Sequence, residues 1–185
     1  SGSVIGHEIA GIIIEANQAA GWKAGDRVAV APYAPCLQCQ QCQRGRYTTC
    51  DNLMEEGIDP GGFAQFVRIP PRIVEQGLVR LPEEMTYSLA CLTEPLACCI
   101  HGLEALALHP GETLLIIGDG AMGLLQAILA RRSGVERIIL SGMIPHRLKR
   151  AHELADVVID ASEQDLASEL KRLAPAGADK VIVSV

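Results

Sequence analysis

Thr113-Leu114-Leu115-Ile116-Ile117-Gly118-Asp119-Gly120-Ala121-Met122-Gly123 is the stretch on which the architecture turns. An aliphatic run with no polar alternation reads as a strand buried on both faces. It ends in a GxGxxG pattern that opens a helix. Alone that pattern is a weak signal; after a strand, before a helix and at the start of a βαβ unit, it predicts a cradle for a dinucleotide pyrophosphate. Gly118 permits the tight turn, Gly120 lets the anion approach the backbone, and Gly123 lets helix and strand pack closely, while the helix N-terminus favours negative charge. A glycine turn without a ligand is the competing, weaker reading.

Working outward, strand and helix alternate: a helix over 95–106, then strand 113–117, helix 121–133, strand 137–140, helix 145–154, strand 157–159, helix 163–173 and strand 180–185. Such a rhythm indicates a parallel sheet covered on both faces. An acidic residue about twenty positions beyond the glycines would hold the adenosine ribose hydroxyls of NAD. The second strand ends instead at Leu140-Ser141-Gly142. Ser141, His146 and Arg147 lie where a 2′-phosphate would stand, a lean toward NADP, although Arg147 and Arg150 equally suit the solvated face of a helix. The cofactor is therefore written NAD(P), with Gly118, Gly120, Ala121, Met122, Gly123, Ser141 and Arg147 as its binding residues.

Before Arg80 the pattern is different: short strands over 9–15, 27–31 and 63–69 with Gly25-Asp26 and Gly61-Gly62 as turns, predicting a small β-rich unit. Into it is set Cys36-x2-Cys39-x2-Cys42-x7-Cys50. Four thiolates on one loop can close a tetrahedral metal site, and the close spacing shortens the segments that must be ordered. Pro32, Pro35 and Gly45 break up regular structure there, so the loop reads as one that needs a metal to hold its shape. A disulfide framework fits poorly with seven cysteines and no signal peptide. In the bacterial ferredoxin run the fourth cysteine follows after three residues and precedes proline, whereas here seven intervene and Asp51 follows. Zinc is the reading, with iron–sulfur next.

Composition narrows the class. Aromatics are 3% of the 185 residues while apolar residues are 49%, so the core is aliphatic, and a net charge of −6 with both signs mixed provides no basic footprint for nucleic acid. The longest apolar stretch, 89–108, contains Glu94, Pro95, His101 and Glu104 and does not suit a membrane span. Cysteine usage without a targeting segment points to a reducing, cytoplasmic setting. The chain begins Ser1-Gly2-Ser3 without an initiator Met and stops on an apolar strand, which raises the expectation of a fragment.

Gly6-His7-Glu8 and Thr93-Glu94-Pro95-Leu96 are ordinary in isolation: a surface His–Glu pair and a carboxylate at a helix start. Together with the cysteine lobe, Gly25-Asp26-Arg27-Val28, Gly61-Gly62-Phe63-Ala64 and the glycine loop, they resemble the motif set of zinc-dependent medium-chain alcohol dehydrogenases. Glu94-Pro95-Leu96 makes the likeness strongest to the sorbitol, polyol and threonine dehydrogenase branch. The resemblance implies an α/β chain of two partial domains: a GroES-like β-rich catalytic domain over 1–88 bearing the zinc lobe (36–50), then the first half of a Rossmann doubly wound parallel-sheet domain over 89–185. It further implies that His7, Glu8 and Glu94 serve a catalytic zinc, Glu8 as a direct or alternating ligand and Glu94 toward the metal or its water. Cys36, Cys39, Cys42 and Cys50 would hold a structural zinc remote from the chemistry.

The implied reaction is hydride transfer between a small secondary alcohol, polyol or amino alcohol and NAD(P)+, in a cytoplasmic homo-oligomer, dimer or tetramer, with no nucleic-acid or membrane partner. The family's first catalytic ligand, a cysteine upstream of Gly-His-Glu, lies outside these residues. Cys91, Cys98 and Cys99 suit core packing better than that role. The alternatives are a zinc-stabilised, catalytically inactive homologue or binding protein and, behind it, an iron–sulfur electron carrier.

Overall fold

The computed structural model describes residues 4–16 and 21–185; Ser1-Gly2-Ser3, on which part of the fragment expectation rests, lies outside the described residues. The chain divides into two compact units, Ser1–Glu94 and Pro95–Val185.

The first unit is built on an antiparallel sheet of β1 (Ile9–Ile12), β2 (Arg27–Val30) and β3 (Leu78–Arg80), with β2 central. Ile9 pairs with Val30, and Val30 with Leu78. The two-residue period of β2 sends Val28 and Val30 to one side, where they pack with Ala34 and Ile73, and Ala29 to the other, against Leu81 and Ala90. Both sides of β2 are thereby buried. The surrounding elements are α1 (Gln40–Gln43) in the cysteine loop, α2 (Pro71–Gln76) and α3 (Tyr87–Ala90). Pro71 at the first position of α2 loses no hydrogen bond, and Ile73 two residues on is fully buried. Thr86 caps α3 through its hydroxyl, which accepts the Leu89 N–H at 3.3 Å.

The expected strand over 63–69 does not form. Asp59 and Arg68 make one isolated antiparallel bridge, while the N–H groups of Gly62 and Phe63 bond to the carbonyls of Gly6 and Ile5. Those donors are spent on the segment beside His7, and Phe63 and Phe66 are left exposed. β3 and the short helices α1, α2 and α3, absent from the expected elements, are too brief to carry a period.

The helix α4 (Thr93–Ala105) begins at the end of the first unit and continues into the second. There follow β4 (Thr113–Ile117), α5 (Ala121–Arg132), β5 (Arg137–Gly142), α6 (Pro145–Ala151), β6 (Val157–Asp160), α7 (Leu166–Leu173) and β7 (Lys180–Val183). Their sheet is wholly parallel in the order β6-β5-β4-β7. Leu114, Ile116, Ile138 and Leu140 pack on one face with Ala127 and Ala130 of α5. Leu115, Ile139 and Ile159 pack on the other with Leu170 and Leu173 of α7. This double burial is why the strands read as unbroken aliphatic runs. Relative to the expectation, β5 extends to Gly142 and α6 stops at Ala151. The last helix starts at Leu166, because Asp165 takes the N-cap and its carboxylate accepts the Ser168 N–H at 2.9 Å.

Candidate metal and dinucleotide sites

His7 and Glu8 precede β1, and Glu94 stands in the first turn of α4. A close backbone contact presents the first two. Gly61, at φ +140°, passes so near Val4 that a Cβ would lie 2.3 Å from the Val4 carbonyl oxygen, and a Cβ on Gly62 would lie 2.5 Å from Ile9. Only glycines allow this approach, and the hydrogen bonds from Gly62 and Phe63 described above then tie the 5–6 segment in place. His7 Nε2 is 3.9 Å from Glu94 Oε2. One ligand atom from each of His7, Glu8 and Glu94 lies within 4.8 Å of the others. Three N/O donors converging in this way fit the open coordination of a catalytic zinc, which takes three protein ligands and leaves a position for water or substrate.

The cysteine loop brings four sulfurs equally close. Cys39 caps α1 by accepting the Cys42 N–H; Cys36 accepts from Gln38 and Cys39; Cys50 accepts from Cys36 and Asn52. The Cys36–Cys42 and Cys39–Cys50 sulfur separations are 4.0 and 3.9 Å. A tetrahedron with Zn–S bonds of about 2.3 Å has edges of about 3.8 Å, so the loop already has the dimensions of a zinc site. The N–H groups of Gln38 and Cys39 bring the Cys36 thiol down to about 6, while burial, then the neighbouring sulfurs, pushes Cys42 up to about 12. Four sulfurs this close resist collecting four negative charges, since each thiolate disfavours the next, and a dication removes that repulsion. Arg72 of α2, unnoticed in the sequence, ties the lobe's exit to the unit: it donates to the Asn52 carbonyl at 3.0 Å and pairs with Glu55 and Glu56 at 3.6 and 3.5 Å.

In the second unit the glycine loop leaves β4 where the strand order reverses, with β5 and β6 to one side and β7 to the other. That switch point is where open α/β sheets bind ligands. Gly118 has φ +127°, and a Cβ on it would meet the Ser184 carbonyl oxygen at 2.2 Å; one on Gly123 would meet the Gly118 oxygen at 2.1 Å. Gly120, by contrast, faces open space. Two glycines are thus demanded by packing and the third leaves an empty cradle at the N-terminus of α5, the arrangement a pyrophosphate requires. Ala121 and Met122 form the first turn of α5. Ser141 is 2% exposed and its carbonyl accepts the Gly118 N–H at 2.8 Å, whereas Arg147 is exposed on α6. Asp119, absent from the expected set, is 6% exposed and reaches the end of β5. The missed signal was a charged residue inside an otherwise apolar strand–turn–helix. Cys99 is buried and donates to the Met122 carbonyl at 3.6 Å, and burial raises its thiol, as core packing predicts.

An antiparallel unit with a four-sulfur lobe and a His/Glu/Glu cluster, followed by a parallel sheet with a glycine cradle at its switch point, defines a class of nucleotide-linked zinc proteins. Residues 1–83 match the alcohol dehydrogenase GroES-like domain. An L-threonine 3-dehydrogenase of Rhizobium johnstonii is 34% identical over 173 residues, 92% of this chain and 49% of that one. The sorbitol dehydrogenase of Bacillus subtilis is 33% identical over 174 residues, 92% of this chain and 48% of its own. A Sinorhizobium meliloti protein described as a zinc-binding dehydrogenase, solved bound to NADP, superposes with a TM-score of 0.84 at 31% identity, over 98% of this chain and 54% of that one. The chain is thus similar to zinc-type alcohol, polyol and threonine dehydrogenases, and carries the alcohol dehydrogenase GroES-like domain followed by the first part of a Rossmann unit. It spans about half the length of the relatives it matches. Among the described residues no helix is long and apolar enough to cross a membrane.

Proposed function

We propose that the protein is a zinc-dependent dehydrogenase that moves hydride between a small secondary alcohol, polyol or amino alcohol and NAD(P)+. The observation that carries this is the meeting of His7, Glu8 and Glu94, from opposite ends of one unit, within 4.8 Å. A zinc bound there supplies Lewis acidity toward a substrate hydroxyl, and a bound nicotinamide supplies the hydride acceptor. His7 contributes neutral imidazole nitrogen, and the carboxylates of Glu8 and Glu94 balance a dication. Glu94, with its side chain 23% exposed, holds its carboxylate beside the imidazole of His7, which is 52% exposed and faces solvent from which a substrate arrives. Cys36, Cys39, Cys42 and Cys50 hold a second, structural zinc. NADP is favoured over NAD because no carboxylate stands on the β5 tip itself.

The threonine and sorbitol dehydrogenase relatives support a polar, hydroxyl-bearing substrate. Cytoplasmic residence and assembly as a dimer or tetramer belong to the same proposal. The test is metal analysis of the full-length protein together with NAD(P)H formation over a panel of polyols and amino alcohols. Turnover dependent on zinc is expected. His7→Ala should lower kcat/KM by about 100-fold or more, since a Lewis acid contributes several kcal/mol, while leaving the cysteine-bound zinc in place. Zinc-free protein without turnover, or full activity in His7→Ala, would reject the assignment.

A further inference from the structure

Asp119 belongs to the glycine loop, yet its side chain is spent on the end of the neighbouring strand. Its Oδ2 accepts the N–H groups of Met143 and Ile144 at 3.1 and 2.8 Å, and its Oδ1 lies 4.0 Å from Arg147 Nη1. Ile144 is the N-cap of α6 and has no side-chain cap of its own, so Asp119 organises the turn into that helix from outside it. A Cβ at position 142 would fall 2.4 Å from the Asp119 Cβ and 2.5 Å from its Oδ2. Gly142 has no left-handed φ, so its backbone would tolerate any side chain; the Asp119 side chain is what excludes one.

In NAD-binding Rossmann sites the carboxylate that reads the ribose hydroxyls stands at the end of the second strand, the place that Gly142 occupies here. Asp119 and an acid at 142 would compete for the same volume. The swap changes more than position. Asp119 is buried and its charge is met by two N–H dipoles and a guanidinium. Beyond it, from 143 to 150, every residue but the buried Leu148 is exposed, and the basic ones among them are His146, Arg147, Lys149 and Arg150. Asp160, the register partner of Gly142 on β6, directs Oδ1 to the N–H and hydroxyl of Ser162 at 3.0 and 2.6 Å. The β5 tip thus presents a half-exposed guanidinium, anchored at one edge, with donors to spare for a phosphate.

We propose that Asp119 is a positioning residue for cofactor choice: it denies the strand tip a ribose-reading acid and holds Arg147 over that tip, so that the adenosine end accepts a 2′-phosphate rather than a bare 2′-hydroxyl. This rests on the dinucleotide reading above and goes beyond it by naming what sets the preference.

The experiment is titration of the full-length protein with NADPH and NADH, by nucleotide fluorescence and calorimetry, for wild type, Asp119→Asn, Arg147→Gln and the double variant. Wild type should bind NADPH at least about tenfold tighter than NADH. Each single variant should weaken NADPH by about tenfold and NADH by less than about threefold. The second substitution should add little to the first, as for groups that act as a unit. The exchange pair Asp119→Gly/Gly142→Asp should reverse the preference, and it keeps the question answerable if Asp119→Asn folds poorly. Failure to bind either nucleotide rejects the dinucleotide reading itself. Binding of both with NADH preferred rejects the phosphate assignment. Equal loss for both nucleotides in Asp119→Asn, or additivity with Arg147→Gln, means that Asp119 only supports the loop and overturns the proposal.

Discussion

Asp26 is held at 2.6 Å by Arg80 and at 3.0 Å by the Lys23 N–H, with its side chain almost fully covered. Arg80 also donates to the Gly21 carbonyl at 3.2 Å and stacks on Trp22, its Cζ 4.6 Å from the ring centroid. The turn into β2 is therefore fastened to β3 by one guanidinium. The Arg80 hydrogen bond, followed by the Lys23 N–H, lowers the Asp26 pKa below its ordinary value. A depressed native value means that the stabilisation is present above the unfolded pKa of about 3.9 and is lost as pH falls through the native one. Asp26→Asn should thus be less stable than wild type at neutral pH, with the gap closing below about pH 4. Parallel urea melts at neutral and acidic pH measure it, and a gap independent of pH would contradict the pairing. At this scale legibility was uneven. Gly25-Asp26-Arg27-Val28 could be read as a turn into a strand. That Arg27 would bond the carbonyls of Pro82 and Glu83 at 3.1 and 2.7 Å and contact Tyr87 could not, because those partners lie over fifty residues away.

Among the elements, the cysteine lobe and the glycine loop were legible because each is local: ligand spacing and strand-turn-helix order are written in consecutive residues. The segment over 63–69 was misread for the converse reason. Its alternation suits a strand, but the Phe63 N–H goes to Ile5 and that of Gly62 just before it to Gly6, and no local pattern announces a partner so far back in the chain. For the lobe we predict that Cys42→Ser, or stripping of zinc by a chelator, lowers the melting temperature of the full-length protein by about 10 °C, the equivalent of several kcal/mol, and deprotects the amides of 36–52 first in hydrogen exchange. Unchanged melting would mean that the lobe holds no metal. Gly123→Ala should separate α5 from β4, because its Cβ would lie 2.1 Å from the Gly118 oxygen, and abolish binding of both dinucleotides. Retained binding in a calorimetric titration would reject the cradle.

For the whole molecule, stability resides in aliphatic clusters packed, among the described residues, on both faces of each unit's sheet. Ile139 is fully buried on the central sheet among Leu115, Ile159 and Ala174. Ile139→Ala should cost about 3 kcal/mol, transfer and cavity terms combined, measured by urea denaturation. A cost below about 1 kcal/mol would indicate that the site collapses around the smaller side chain. The amino-acid order alone determined the alternation of elements in the second unit, the metal-binding lobe and the family likeness, because apolar period, turn residues and ligand spacing are short-range properties. Only the tertiary structure decided that His7 and Glu8 meet Glu94, that the strand order reverses at β4, and that Asp119 fills the place of a side chain at 142. Each of these depends on backbone brought together across long sequence separations, where contact is set by packing and by which donors the sheets leave unspent.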